Sequence, residues 1–301
     1  MVFLFKKIQM AKERKTDLVE SIKKKGKTIE AEMSFFDHLE ELRWHLIRAA
    51  IAVVLLTSLC FYYYDFLFDT IIMGPKKADF WTYRVLCEMG TYFNKGAEFC
   101  IKVIPGKIIN TEMAGQFTLQ INSSLLTGVV LGFPYLLWEI WRFIKPALKD
   151  NERKSANGFV FYATVLFIIG ILFGYYIIAP LSINFLTNYT VSDIIENTIT
   201  IDSYLSSVAT LTLGAGIVFE LPIVIYVLSR LGFMTPKFMR EKRRYAVVII
   251  LLIAAIVTPT PDILTMLTVS FPLFLLYELS IGVSGRVQKK KIKAEEEFYA
   301  N

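Results

Sequence analysis

The chain contains 301 residues, of which 54% are hydrophobic and 20% are charged. The hydrophobic residues form long uncharged runs between charged stretches, a distribution that excludes an ordinary soluble domain and predicts an all-α membrane protein. The formal net charge of +6 does not identify a nucleic-acid-binding protein, because in a membrane protein the position of each charge matters more than the sum.

Residues 1–33 are rich in lysine and glutamate and have no sustained apolar periodicity. They predict a cytoplasmic extension that is mobile or lies as a helix on a surface. The apolar run at residues 1–5 is too short for a removable signal peptide and is followed by two lysines, so we expect the N-terminus to stay where it is made. Residues 34–286 form the predicted membrane domain, and residues 287–301 form a cytoplasmic tail that is first basic and then acidic.

Six apolar segments predict six transmembrane helices. The predicted spans are residues 44–64, 117–141, 159–179, 204–231, 245–257 and 263–283. The fifth segment would extend only about 20 Å as a helix, less than the roughly 30 Å of bilayer hydrocarbon, which implies local thinning of the bilayer or shielding by neighbouring helices. The fifth and sixth spans are therefore predicted to be short. A re-entrant hairpin of these two segments is the alternative, and the basic sequence after Arg286 disfavours it.

Residues 66–115 are polar and contain several glycines and prolines, so they predict a large loop outside the membrane. Cys87 and Cys100 both lie in this loop. They could form a disulfide if the loop faces an oxidising compartment, and two free thiols are the alternative.

Lysine and arginine are unequally distributed between the two predicted sides of the membrane. They are frequent before the first span, after the second and fourth spans and in the tail, whereas the other side has six, all in residues 66–115. Because cytoplasmic loops are enriched in these residues, both termini are predicted to be cytoplasmic. The even number of spans agrees with this orientation.

Two charged motifs lie at the predicted cytoplasmic edge. Residues 36–43, FDHLEELR, precede the first span and present carboxylates to the cytosol, and residues 138–154, WEIWRFIKPALKDNERK, place Glu152 near the same surface. The simpler interpretation of the first motif is a solvated helix start with acidic residues near its N-terminal dipole. The simpler interpretation of the second is a basic loop in which Glu152 is paired locally.

A third motif, Phe219-Glu220-Leu221-Pro222, places a carboxyl group inside the fourth span. Glu220 lies ten residues before Arg230, or roughly 15 Å from the cytoplasmic helix end. A charge there is costly unless it is protonated, paired or hydrated, so a functional role is the default interpretation. Pro222 would leave a polar notch beside it. The structural alternative is a kink at which a protonated Glu220 bonds a serine or threonine of a neighbouring span.

Glycine pairs at 128 and 132, 170 and 174, and 214 and 216 suit close helix packing. The sequence TPTPD at 258–262 predicts a tight turn in which Asp262 caps the sixth span.

Together, four motifs resemble the TatC family, the multi-spanning receptor subunit of the twin-arginine protein translocase. The resemblance covers residues 35–286. The motifs that carry it, in order along the chain, are HLEELR at 38–43, the loop 143–153, FELP at 219–222 and TPTPD at 258–262.

The resemblance implies that a cytoplasmic patch binds the paired arginines in signal peptides of folded cargo proteins. Glu41 and Glu152 would be the carboxylate partners, with three further residues shaping the patch, namely Arg43, Phe143 and Arg153. Guanidinium groups pair with carboxylates through two parallel bonds and lysine substitutes poorly, which would explain a requirement for arginine.

The resemblance also implies a bacterial cytoplasmic (inner) membrane protein whose other partners are single-span TatA/TatB-type subunits and further copies of itself, with transport driven by the proton-motive force. Glu220 would contact the single-span subunits, and Pro75 and Asp262 would be important on the far side. Met266 stands where some relatives have a glutamine, which bears against a polar contact to a partner helix there. No enzyme activity, cofactor, metal or nucleic-acid partner is expected.

Two other functional classes can be weighed from the residues. A small-molecule or ion transporter could use Glu220 as a proton relay, but the chain has neither internal repeats nor paired broken helices. An intramembrane enzyme is poorly supported, because His38 and His45 are the only histidines, both lie near the predicted cytoplasmic edge, and no HExxH pair or Gly-x-Ser-x-Gly elbow occurs.

Overall fold

The computed structural model describes residues 35–92, 100–101, 104–144, 157–192, 194, 197–258 and 263–300. The chain divides into two units, residues 1–48 and 49–301, and the described part of the first unit is the beginning of one long helix.

Helices make up most of the described residues. The α-helices are α1 Phe35–Tyr62, α2 Tyr64–Phe66, α3 Trp81–Tyr92, α4 Gly115–Ile144, α5 Asn157–Phe173, α6 Ala179–Asn188, α7 Ile201–Phe219, α8 Leu221–Leu231, α9 Pro236–Glu241, α10 Arg243–Val257 and α11 Ile263–Ala300. Two π-helical segments, Leu67–Ile72 and Gly174–Ile178, and one 3-10 turn, Gly74–Lys76, lie between them. Two short strands are β1 Ile108–Ile109 and β2 Ile199–Thr200.

Five helical segments of the described chain are long and apolar enough to cross a bilayer. They are Leu39–Tyr62, Gly115–Ile144, Val160–Asn188, Ile201–Leu231 and Thr265–Lys293. These correspond to the first, second, third, fourth and sixth predicted spans. The fifth predicted span is helix α10, whose 15 residues extend only about 22 Å.

The third helical segment is longer than predicted. The sequence prediction ended it before Pro180, but helix continues from α5 through the π-helical segment and α6 to Asn188. Pro180 occupies the first turn of α6. Pro180 has no N–H to continue the helical ladder, and the hydroxyl of Thr82 donates to the carbonyl oxygen of Tyr176, four residues earlier.

The last helix is also longer than predicted, so the sixth span is not short. Helix α11 has 38 residues and continues through the basic and acidic tail. The prediction followed the apolar run alone, whereas lysine and glutamate are good helix formers and extend a helix beyond the membrane. The Lys291 ammonium donates to the carbonyl oxygen of Arg230 at 2.6 Å, which holds the extension against the end of α8.

The all-α prediction misses one short pair of strands. Strands β1 and β2 pair in parallel, with Ile108 opposite Ile199 and Ile109 opposite Thr200. Two residues per strand leave no periodicity that a sequence pattern could detect. The pairing joins the loop after the first span to the segment that leads into α7.

Glycines allow the membrane helices to approach closely. A Cβ added at Gly170 would lie 2.8 Å from the carbonyl oxygen of Ala215, and one at Gly174 would lie 2.8 Å from that of Leu211. Helix α5 and the π-helical segment that follows it therefore cross α7 with their backbones nearly in contact, as small residues permit inside a membrane. Gly128 of α4 is similarly close to α1, because its Cβ would lie 2.8 Å from the backbone nitrogen of Thr57.

Candidate functional site

The two predicted site residues of the first motif, Glu41 and Arg43, lie near the start of α1. Arg43 is exposed and Glu41 is half-buried. Because they are two positions apart, they project from different faces of the helix. Neither makes an ion pair with another described residue, so the Glu41 carboxylate has no internal cation within the described part of the chain.

The second motif is only partly described. Phe143 is half-buried in the last turn of α4, which ends at Ile144. The guanidinium of Arg142, the preceding residue, lies 5.5 Å from the centre of the Trp138 ring one turn earlier. Glu152 and Arg153 lie outside the described residues, as does Asp262, and of the five predicted signal-peptide residues the structure describes Glu41, Arg43 and Phe143.

Sequence reasoning assigned no role to Glu139, which α4 buries almost completely. Its side chain is 1% exposed, and the hydroxyl of Tyr135 donates to its Oε1 atom at 2.9 Å. Glu139 lies five residues before the end of α4, roughly 8 Å along the helix. The signal was a lone acid among the apolar residues of a predicted span, which by itself marks a functional candidate.

Glu220 lies at the break between α7 and α8. Its backbone N–H donates to the carbonyl oxygen of Ile217 at 3.1 Å, and Pro222 begins the following helix. The side chain is 8% exposed, and neither carboxylate oxygen has a hydrogen-bond partner within the described residues. The predicted alternative, a bond to a serine or threonine of a neighbouring span, has no such donor among the described residues.

Met266 lies near the beginning of α11. It packs, half-buried, against a cluster of buried apolar residues that α7, α10 and α11 share, including Leu211, Ile250 and Leu273. Its thioether therefore serves apolar packing in this chain.

On the opposite side of the described spans from Arg230, three tyrosines bond to backbone carbonyls. We call Tyr83, Tyr175 and Tyr204 the tyrosine cluster. The hydroxyl of Tyr83 lies 2.9 Å from the carbonyl oxygens of both Pro75 and Pro180. Tyr204 donates to Ile72 at 2.8 Å and Tyr175 donates to Ile71 at 2.6 Å.

The tyrosine cluster surrounds Pro75, which is fully buried in the 3-10 turn. Burial raises the pKa of Tyr83, so its hydroxyl stays a donor at all ordinary pH values. Beside it, Lys76 donates to the carbonyl oxygen of Pro105 at 2.7 Å, and burial lowers the pKa of its ammonium group. The family resemblance indicated Pro75 but none of these donors, because a single tyrosine in a loop or in an apolar run carries no periodic signal.

Cys87 and Cys100 are joined by a disulfide, with their Cα atoms 4.2 Å apart. Of the two predicted alternatives, the structure contains the bridge. Cys87 belongs to α3, which also carries Tyr83, so the bridge tethers this helix to the segment that continues toward β1.

The family described as Sec-independent protein translocase protein (TatC) matches residues 37–272. The chain belongs to the TatC family. The match contains all four motifs from which the resemblance was drawn. TatC proteins are components of a protein translocase, which is a transport function rather than a catalytic one, and the apolar helices agree that the chain is an integral membrane protein.

Several relatives resemble the chain over most of their length. The Sec-independent protein translocase protein TatC of Blattabacterium sp. subsp. Periplaneta americana is 38% identical over 86% of this chain and 98% of its own. TatC of Aquifex aeolicus is 31% identical over 86% of this chain and 98% of its own. A crystal structure described as the twin-arginine translocase receptor TatC superposes with a TM-score of 0.61 at 30% identity, covering 83% of this chain and 99% of that one.

Proposed function

We propose that this TatC protein is the signal-peptide receptor of a twin-arginine export system. The observation that carries the proposal is the Glu41 carboxylate, which lies at the start of α1 and has no cation partner within the described residues. A carboxylate without an internal partner is available to an external guanidinium group. Glu152 supplies the second carboxylate, while Arg43, Phe143 and Arg153 shape the patch.

Two carboxylates suit a pair of arginines better than a pair of lysines. Each guanidinium presents a planar fork that pairs with one carboxylate through two parallel N–H···O bonds, whereas an ammonium group acts as a point charge. A peptide whose arginines are adjacent therefore needs two carboxylates at matching separation. Replacing one arginine of the peptide by lysine should therefore weaken binding by more than the loss of one hydrogen bond would.

Glu220 is the proposed docking point for single-span TatA/TatB-type subunits. A buried carboxyl group without a donor is unfavourable, and a polar side chain on an incoming helix would remove that deficit. Met266 lies on the neighbouring helix α11 and offers such a subunit an apolar contact. Further copies of the chain complete the proposed receptor complex.

The proposed orientation places both termini in the cytoplasm of a bacterium and the tyrosine cluster outside the inner membrane. The distribution of lysine and arginine supports it, as does a disulfide in the loop on the other side, since such bonds persist in oxidising compartments. In this orientation Pro75 and Asp262 lie on the far side, and the proton-motive force acts across the domain that contains Glu220.

The test is crosslinking of a synthetic twin-arginine signal peptide to membranes that contain the full chain. We expect Glu41→Ala and Glu152→Ala each to weaken the crosslink and the double variant to abolish it. Glu241→Ala is the matched control, because Glu241 is an exposed carboxylate on the same proposed side. A peptide with two lysines should crosslink poorly to the wild type. Unchanged crosslinking in the double variant would contradict the proposed receptor patch.

A further inference from the structure

A groove of about 430 Å³ opens between the start of α5, helix α8 and the later part of α11. We call it the α5–α8–α11 groove. It does not include Glu41, Phe143 or Glu220. The lining residues on which the inference depends are Tyr162, Leu166, Ile223, Tyr226, Val283 and Arg286.

The groove extends through about half of the bilayer. Leu166 lies nine residues from the start of α5, or roughly 14 Å along the helix. Ile223 lies eight residues from the end of α8, or roughly 12 Å. Since the hydrocarbon layer is about 30 Å thick, the apolar wall spans the depth of one leaflet. Tyr162 lines the groove and is exposed, so the groove is accessible from the surrounding lipid.

Positive charge gathers where the groove reaches the helix ends. Arg286 is exposed and makes no ion pair with a described residue, and Lys289 is exposed one turn further along the same face of α11. Across the groove, the guanidinium of Arg230 lies 5.5 Å from the centre of the Tyr226 ring. The site is therefore apolar at depth and cationic at the membrane surface.

We propose that the α5–α8–α11 groove binds one anionic phospholipid, with an acyl chain along the apolar wall and its phosphate at Arg286. The chemistry of the site matches both parts of such a molecule, and basic pockets between transmembrane helices on the cytoplasmic side are suited to anionic headgroups. The volume lies within the range of ligand pockets. The inference rests on the proposed orientation but not on signal-peptide binding.

A signal peptide suits the groove less well than a lipid does. Its paired arginines would approach Arg286 and Arg230, and like charges repel at the short separations that binding requires. A soluble phosphate would satisfy the rim but would leave the apolar wall without an occupant. Only a molecule with an anionic head and an apolar tail satisfies the rim and the wall together.

The test uses the full chain purified in detergent and measures retained lipids by native mass spectrometry. Phosphatidylglycerol and phosphatidylcholine with identical acyl chains are compared. We expect the wild type to retain phosphatidylglycerol preferentially. Arg286→Gln should weaken phosphatidylglycerol binding about fivefold and leave phosphatidylcholine unchanged, because one basic side chain near an anionic surface contributes about that factor.

Two further variants complete the design. Arg240→Gln removes an exposed arginine of α9 that lies outside the groove, and it should change neither lipid. Val283→Trp places a large side chain in the groove and should reduce retention of both lipids. Arg286→Lys keeps the charge and should behave like the wild type, which separates the effect of charge from any effect of Arg286→Gln on folding.

Four outcomes would overturn the proposal. They are equal retention of the two lipids by the wild type, equal loss in Arg286→Gln and Arg240→Gln, unchanged retention in Val283→Trp, and competition by soluble glycerol phosphate as strong as that by lipid. Signal-peptide crosslinking is measured on the same variants and should persist in Arg286→Gln. Loss of that crosslink with lipid retention unchanged would assign the groove to the peptide instead.

Discussion

Helix α7 connects two regions that treat buried polar groups in opposite ways. At its beginning, Tyr204 belongs to the tyrosine cluster, in which each hydroxyl lies within hydrogen-bond distance of a backbone carbonyl. At its end, Glu220 is also buried, yet neither of its carboxylate oxygens has a partner within the described residues. The same helix therefore ends in a satisfied network on one side and in an unsatisfied carboxyl group on the other.

The two regions differ in what their polar groups contribute: the bonded hydroxyls stabilise the fold, whereas the unpartnered carboxyl group does not. A network whose members are all bonded fixes one conformation, because any rearrangement leaves a buried polar group without a partner. A lone buried carboxyl group stabilises nothing inside the chain, and its deficit is removed only by a proton, water or another molecule. Variants in the two regions should consequently change stability in opposite directions.

The largest loss of stability is expected from a substitution that displaces α7, because α7 connects the two regions. Gly174→Val places a side chain against the backbone of α7, since even a Cβ there would lie 2.8 Å from the carbonyl oxygen of Leu211 and 2.9 Å from the Cβ of Ala215. We expect a loss of roughly 3 kcal/mol or more, seen as a large fall in the thermal unfolding midpoint or in accumulation in the membrane.

Gly282→Ala is the control for that variant, because a Cβ at Gly282 meets nothing within 4 Å. It should leave stability unchanged or raise it by up to about 1 kcal/mol, since alanine favours helix over glycine. Similar midpoints for the two variants would show that the close crossing of α7 by the π-helical segment Gly174–Ile178 does not support the fold.

The disulfide should have the next largest effect, confined to the region of the tyrosine cluster. Cys87→Ala with Cys100→Ala releases α3, which carries Tyr83, and a link across 13 residues contributes about 3 kcal/mol when the unfolded chain is otherwise free. We expect a lower unfolding midpoint and normal signal-peptide crosslinking. A reducing agent should lower the midpoint of the wild type but not that of the double variant.

Most of the membrane architecture was predictable from sequence, because a segment that crosses a bilayer must be a long apolar helix whose backbone hydrogen bonds are satisfied internally. The errors occurred where polar sequence is helical, as in the tail of α11, and where a proline lies within a continuous helix, as at Pro180. The tyrosine cluster was not predictable, since three of its four bonds join residues 97 or more positions apart in the chain. Tyr204 and Ile72 are 132 residues apart.

The candidate site was predictable to different extents. Glu220 stood out because a carboxyl group in an apolar run is rare, and its burial agrees with that signal. Glu139 carried a similar signal but lies among aromatic residues, which are typical of the membrane interface. The groove at Arg286 carried no sequence signal at all, because it arises from three helices packed together.

A smaller effect is expected for a single member of the cluster. Tyr83→Phe removes one hydroxyl and leaves the carbonyl oxygens of Pro75 and Pro180 without that donor, which should lower stability by about 1–2 kcal/mol. Tyr189→Phe is the control, because Tyr189 is exposed and its ring stacks on Phe185 in either form. Equal unfolding midpoints for the two variants would mean that the buried hydroxyl contributes nothing to the cluster.

The smallest change in stability, with the opposite sign, is expected at the other end of α7. Glu220→Leu replaces a buried carboxyl group that lacks a donor with an apolar group, so stability should stay constant or rise by about 1 kcal/mol. Export of a twin-arginine cargo should nevertheless fall strongly while signal-peptide crosslinking persists. Glu241→Ala is the control and should change neither the unfolding midpoint, nor export, nor crosslinking. A fall in the unfolding midpoint comparable to that of Tyr83→Phe would mean that Glu220 supports the fold, and the contrast between the two ends of α7 would disappear.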